Sequence, residues 1–184
     1  AVLQGSGDEF LQLRLGRHRT SGVVRRAEVV DVRAGHLVQV REEVVLLGAL
    51  HVHEIVELAV GIDLTRRDIQ NKAKEMGRPW DMGKGFDQSA PCTALHPVSE
   101  VGHPDTEDAR SIWIKVNGEI KQESTLDLHI WSTAETISYL SGLVTLEPGD
   151  LIYMGTPEGV AAVTSGDTME GHIDGVGDLT ITIA

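Results

Sequence analysis

Residues 112–122 read IWIKVNGEIKQ, and this stretch decides the fold class. Ile112, Ile114 and Val116 alternate with Trp113 and Lys115, the period-two pattern of a strand with one buried face. Asn117-Gly118 then supplies two adjacent residues that tolerate positive φ, as a type I′ turn requires, so the stretch predicts a β-hairpin. Downstream, Ser132 and Glu135 match a capping box, and Ile137, Leu140 and Val144 give the helix that follows an apolar stripe, ending near residues 143–145. Glu147-Pro148-Gly149-Asp150 reads as a turn and residues 151–154 as a short buried strand. Residues 169–173 and 179–183, joined by DGVGD at 174–178, predict a second hairpin. Upstream, Thr65 and Asp68 match a helix-opening box, Ile69, Ala73 and Met76 fall at helical spacing, and Gly77 with Pro79 ends that helix. Hairpins grouped together, rather than alternating singly with helices, predict an α+β domain on a largely antiparallel, curled sheet.

The remainder of the chain is less regular. AVLQGSG at 1–7 reads as a linker. Residues 8–60 are rich in Val and Arg, contain neither Lys nor Pro, and alternate only over short stretches such as 36–45. With 184 residues, 41% of them hydrophobic, the chain suits one globular domain. Its longest wholly apolar run, 44–50, is far shorter than the roughly 20 residues that span a bilayer, so no membrane association is expected. The single cysteine, Cys92, can make neither an internal disulfide nor a cysteine zinc site, and a cytoplasmic location is the simplest expectation.

Charge narrows the partners. Residues 1–65 carry seven Arg and nine acids; residues 66–184 carry nine bases and nineteen acids. Such a surface repels phosphate backbones, which excludes nucleic acid as an expected partner. It suits hard cations, although a solubilising surface explains it as well.

Four places offer chemistry. Asp63 follows the apolar run 58–62 and stands either to bind a cation at a sheet edge or to cap the next helix. Arg66, Arg67, Asp68 and Gln70 form a polar cluster that also fits a solvated helix start. Lys84 lies in MGKGFD at 82–87, which lacks P-loop spacing and reads as a surface turn or a ligand-approaching loop. GTPEG at 155–159 is a tight turn, or a hydroxyl and amides able to hold a carboxylate.

In order, GIDLTRRDIQ, GRPWDMGKGFDQSAP, IKVNGEIKQ, LEPGDLIYMGTPEGV and SGD with EGHIDGVGDLTITI resemble the C-terminal catalytic domain of the fumarylacetoacetate hydrolase superfamily, over about residues 60–184. The resemblance implies a mixed, curled β-roll of 61–184, commonly a homodimer. It implies Mg²⁺ or Mn²⁺ and a ketoacid substrate of the aromatic-catabolism type, fumarylpyruvate being the favoured example. Asp63 matches the family's metal-binding Asp, Arg67 and Gln70 match pocket residues, Lys84 the active-site lysine, and Thr156 the threonine at the substrate's carboxylate end. The implied reaction is metal-assisted C–C hydrolysis of acylpyruvates; decarboxylation of oxaloacetate and ketoacid isomerisation are the nearest alternatives. A non-catalytic relative with a degenerate N-terminal segment is the other class.

The family's Glu-x-Glu metal ligands have no clean counterpart. Glu42 and Glu43 are neighbours and would face opposite ways. Glu54 and Glu57 carry one residue too many and would need a β-bulge to share a face. The lid that carries a water-activating His and Glu is also missing. His18 is the first histidine of the chain; His51 and His53 read as structural or surface residues, and His96, His103, His129 and His172 lack carboxylate spacing for a metal. Met154 and Ala161 stand where the family usually has Thr and Gly.

Overall fold

The structure is a computed structural model that describes the backbone of residues 2–4, 10–12, 15–17, 44–51 and 54–56, and residues 57–105 and 109–184 in full. Glu42, His18 and most of the 36–45 alternation lie outside the described residues.

Three short strands open the chain: β1 (Val2–Gln4), β2 (Phe10–Gln12) and β3 (Leu15–Arg17). The segment read as a linker therefore supplies a strand, β1, which pairs antiparallel with β2. Two longer strands follow, β4 (Val44–His51) and β5 (Glu54–Ile62), paired as an antiparallel hairpin. Helices α1 (Arg67–Glu75) and α2 (Asp81–Lys84) come next, then β6 (His96–Pro97) and α3 (Val98–Val101). The decisive stretch forms β7 (Ser111–Val116) and β8 (Glu119–Thr125). Asn117 at φ 51° and Gly118 at φ 82° make the turn, as the Asn-Gly pair requires. The chain closes with α4 (Thr133–Ser141), β9 (Asp150–Tyr153), β10 (Thr168–Ile173) and β11 (Gly177–Thr182).

The fold is α+β. Besides the β1–β2 pair, one sheet has the order β11-β10-β7-β8 and another β3-β9-β4-β5-β6; both are open, and every strand pairing among the described residues is antiparallel rather than mixed. Alternation explains the burial. In β7 and β10 every second residue is buried, and these positions meet Leu58, Val60 and Ile62 of β5 in one main core. That face removes Ile112, Ile114, Met169, Ile173 and Ile181 from water, each contributing roughly 1.5–3 kcal/mol relative to exposure. The opposite face of β5 is covered too: Ala59 joins Leu151 and Tyr153 in a second cluster against Ala90, Cys92 and Leu95. No helix among the described residues is long and apolar enough to cross a membrane.

Helix α4 forms as its sequence predicts. Ser132 accepts from the Glu135 amide while Glu135 accepts from the Ser132 amide at 2.8 Å, and the last helical residue is followed by Gly142. Helix α1 does not follow its capping signal. Its N-cap is Arg66, which makes no side-chain cap bond, because the Thr65 hydroxyl is engaged elsewhere.

Candidate active site

The buried run from Leu58 to Thr65 continues past the end of β5. Its alternate amides stay paired: Ile62 donates to the Pro91 carbonyl at 2.9 Å, Leu64 to Ser89 at 2.8 Å and Arg66 to Gly83 at 2.9 Å. Leu64 enters the main core, while Asp63 and Thr65, both buried, fall on the other side. Helix α2 brings Lys84 to that side. The Lys84 Nζ lies 2.7 Å from Asp63 Oδ2 and donates to Thr65 Oγ1 at 2.7 Å, with 12% of the lysine side chain exposed and 2% of the aspartate's. The i, i+2 pair of Asp63 and Thr65 thus forms one cradle for one ammonium, and neither residue caps α1.

Helix α1 covers the same corner. Its N-cap Arg66 places a guanidinium 4.3 Å above the Phe86 ring, joining α1 to the segment after Lys84. A Cβ on Gly83 would come 3.2 Å from the backbone nitrogen of Gln70, so the residue before Lys84 packs directly on α1. Arg67 Nη1 donates to Gln70 Oε1 at 2.7 Å, and its Nη2 is buried without a hydrogen-bond partner among the described residues. A buried guanidinium nitrogen with an open donor suits an incoming carboxylate. Asp63, Lys84, Arg67 and Gln70 therefore occupy one neighbourhood. Thr156, by contrast, is exposed after β9 and is hydrogen-bonded to β8 through Gln122, a buried residue that the sequence reading did not single out.

Of the carboxylates read as metal ligands, Glu57 and Asp63 do not meet, while Glu42 and the Glu54 side chain lie outside the described residues. The β4–β5 ladder does contain a bulge: Ala49 pairs with Glu57 and Leu50 with Ile55, leaving Val56 extra. Opposed residues share a face, so positions 54 and 57 fall on one face of the hairpin, as the family-like spacing needed. Position along the strand is the obstacle, because six extended residues separate Glu57 from Asp63 by about 20 Å, too far for one ion. Among the described residues no three His, Cys, Asp or Glu side chains are grouped to hold a metal. Among the described residues Asp63 offers one carboxylate, ion-paired to Lys84, and that donor set alone does not fit a three-carboxylate site.

One histidine has carboxylate partners that the sequence reading did not single out. His172 lies between two carboxylates, Nδ1 at 2.6 Å from Asp178 and Nε2 at 2.9 Å from Asp174, and stacks on Trp113. Partial burial lowers its pKa, but hydrogen bonds and charge from the two aspartates outweigh this and hold it above the ordinary histidine value. The spacing i, i+2 across a turn gave no sequence signal, since Asp178 arrives from the partner strand.

A family profile for the C-terminal region of fumarylacetoacetate hydrolase matches residues 52–184. The chain belongs to the fumarylacetoacetate hydrolase family. It is 42% identical over 132 residues to a fumarylpyruvate hydrolase of a Ralstonia species, covering 71% of this chain and 67% of that one. It is 44% identical over 118 residues to the mitochondrial oxaloacetate tautomerase of Rattus norvegicus, covering 64% of this chain and 52% of the relative. The chain thus spans about half the length of that mitochondrial relative. A crystal structure of Pseudomonas aeruginosa fumarylpyruvate hydrolase, in complex with Mn²⁺ and pyruvate, superposes with a TM-score of 0.78 at 42% identity, covering 86% of this chain and 70% of that one. These relatives support a hydrolase enzyme.

Proposed function

We propose that this chain carries the catalytic domain of an acylpyruvate hydrolase, with fumarylpyruvate as the favoured substrate. The observation that carries the reading is Lys84, an ammonium fixed 2.7 Å from both Asp63 and Thr65 beneath the helix that bears Arg67. An acylpyruvate has a carboxylate beside one ketone and a second ketone two carbons further on. Arg67, with its open Nη2 donor, would take the second carboxylate that fumarylpyruvate carries on its acyl part, leaving the pyruvyl carboxylate to a hydroxyl such as that of Thr156. Water adds to the distal ketone carbon, and the bond from that carbon to the methylene breaks. The electron pair moves into the pyruvyl unit as an enolate, which gains a proton on carbon to become pyruvate while the acyl part leaves as an acid. Charge develops on the enolate oxygen, and Lys84, already positioned, stabilises it without reorganisation. Asp63 and Thr65 hold the ammonium in place, and Gln70 orients Arg67.

Dependence on Mg²⁺ or Mn²⁺ is a separable part of the proposal and requires carboxylates in addition to Asp63. A second reading, oxaloacetate tautomerisation, is favoured by the 44% identity to the rat protein. It uses the same enolate but breaks no C–C bond and consumes no water. The curling of the sheet into a β-roll, a homodimer and a cytoplasmic location complete the proposal. Exposed Leu128, Ile130 and Leu143 support pairing of two copies, for which light scattering should give twice the chain's mass. The functional test is a panel of fumarylpyruvate, acetylpyruvate and oxaloacetate, each with and without Mg²⁺ or Mn²⁺. Release of pyruvate from fumarylpyruvate is the expected result; enol–keto interconversion of oxaloacetate without cleavage of either acylpyruvate would favour the tautomerase, and no change in any substrate would remove the enzyme reading.

A further inference from the structure

The β7–β8 hairpin departs from regular pairing at one residue. Val116 pairs with Glu119 and Lys115 with Ile120, but Ile114 pairs with Gln122, so Lys121 is the extra residue of a bulge. A regular ladder from the same two-residue turn would set Gln122 opposite Trp113, on the outer face. The bulge moves Gln122 to the face of buried Ile114, and its side chain is 1% exposed. There its Nε2 donates to Thr156 Oγ1 at 3.0 Å and to the Pro157 carbonyl at 2.6 Å. The bulged residue holds the same loop by backbone contact: Gly159 has φ +97°, and a Cβ there would overlap the Lys121 carbonyl oxygen. Two successive β8 residues thus press on the 155–159 loop by independent means.

We infer that Gln122 is the positioning residue of this loop, and that it turns the Thr156 hydroxyl into an outward hydrogen-bond donor for a ligand carboxylate. The chemistry is one of lone pairs. With its oxygen accepting from the Gln122 amide, the threonine hydroxyl has its proton left for an acceptor. The alternative acceptor among the described residues, Gln122 Oε1, is more distant at 3.3 Å. A carboxylate oxygen, charged and unhindered at an exposed threonine, competes well for that proton. Bulges commonly re-aim a side chain beside a site, which fits this placement. The carboxylate's identity as the end of a ketoacid rests on the acylpyruvate reading; the clamping of the loop does not.

The test uses the full chain and two variants of similar side-chain length, Gln122→Met and Gln122→Glu, with pyruvate as the probe. Pyruvate is titrated into ¹⁵N-labelled protein while the amides of residues 155–159 are followed, and their hydrogen exchange is measured without ligand. The expected result is pyruvate binding by the unsubstituted chain, weakened about tenfold in Gln122→Met and further in Gln122→Glu, whose carboxylate repels both the ligand and the Pro157 carbonyl. Exchange at 155–159 should quicken in both variants while β10 and β11 stay protected. In a Thr156→Val background, Gln122→Met should cost no further affinity, which a purely structural glutamine would not reproduce. Where fumarylpyruvate turns over, the loss should fall on KM with kcat nearly unchanged. Unaltered affinity in both folded variants would overturn the inference. If the unsubstituted chain binds no pyruvate, the ketoacid reading fails and exchange decides: faster opening confined to 155–159 supports the clamp, and unchanged exchange overturns it. Should Gln122→Met fail to fold, Gln122→Glu decides by the same readings.

Discussion

The β7–β8 and β10–β11 hairpins and the Asp63–Gly85 segment are built on opposite terms. In the hairpins, local chemistry and global fold agree along β7 and β10: alternate residues are buried, the Asn117-Gly118 turn adopts the positive φ its residues tolerate, and the buried face meets β5. In the segment from Asp63 to Gly85 they disagree. A carboxylate and an ammonium are held mostly out of water, a threonine at a capping position gives its hydroxyl to a lysine, and a guanidinium nitrogen is buried unpaired among the described residues. Burying such an ion pair is often no better than packing apolar groups of similar volume. A stretch that forgoes stability inside an otherwise consistent domain is where the candidate site is placed.

Four variants sharpen that contrast. Lys84→Met takes the ammonium away from a buried carboxylate, so denaturation should show a loss of about 3–5 kcal/mol, and fumarylpyruvate cleavage should fall by about 10²–10³-fold or more. Gly118→Val places a β-branched side chain at φ +82°, and a loss of about 1–2 kcal/mol is expected. Turnover at saturating substrate should be untouched, since only the hairpin is affected. Ser132→Ala removes the α4 cap and should cost about 1 kcal/mol in urea denaturation, again with normal kinetics.

The smallest effect concerns pH. His172 is held above the ordinary histidine pKa, so the stability it contributes is fully present below the unfolded value, about 6.5, and is lost as pH rises through the folded one. Hydrogen exchange of the β10–β11 amides, corrected for intrinsic rates, should show protection declining over that window. In His172→Gln the decline should vanish; if it persists, another group is responsible.

Most of the fold was legible because its signals are local. The Asn-Gly turn, the Ser132–Glu135 box and the alternation of residues 169–173 each specify a geometry within a few residues. The capping box at Thr65 misled for a reason that the structure supplies: a hydroxyl has one position to take, and Lys84, nineteen residues away, claims it. The bulge at Lys121 was equally hidden. IKVNGEIKQ alternates well enough to suggest a regular hairpin, and only the partner register shows that Gln122 crosses to the core face. The site residues Asp63, Arg67, Gln70 and Lys84 were named through family likeness rather than spacing, since no periodicity relates position 63 to position 84. The same likeness pointed to Glu54 and Glu57 as partners of Asp63, which the length of β5 separates.

The most direct measurement pairs Lys84→Met with Asp63→Leu in one chain and records thermal stability and fumarylpyruvate cleavage together. Replacing both charges with apolar groups removes the desolvated pair without leaving either partner behind. The account predicts a Tm at or above that of the unsubstituted chain, well above Lys84→Met alone, with cleavage abolished. A double variant as unstable as Lys84→Met, or one that still releases pyruvate from fumarylpyruvate at the unsubstituted rate, would contradict it.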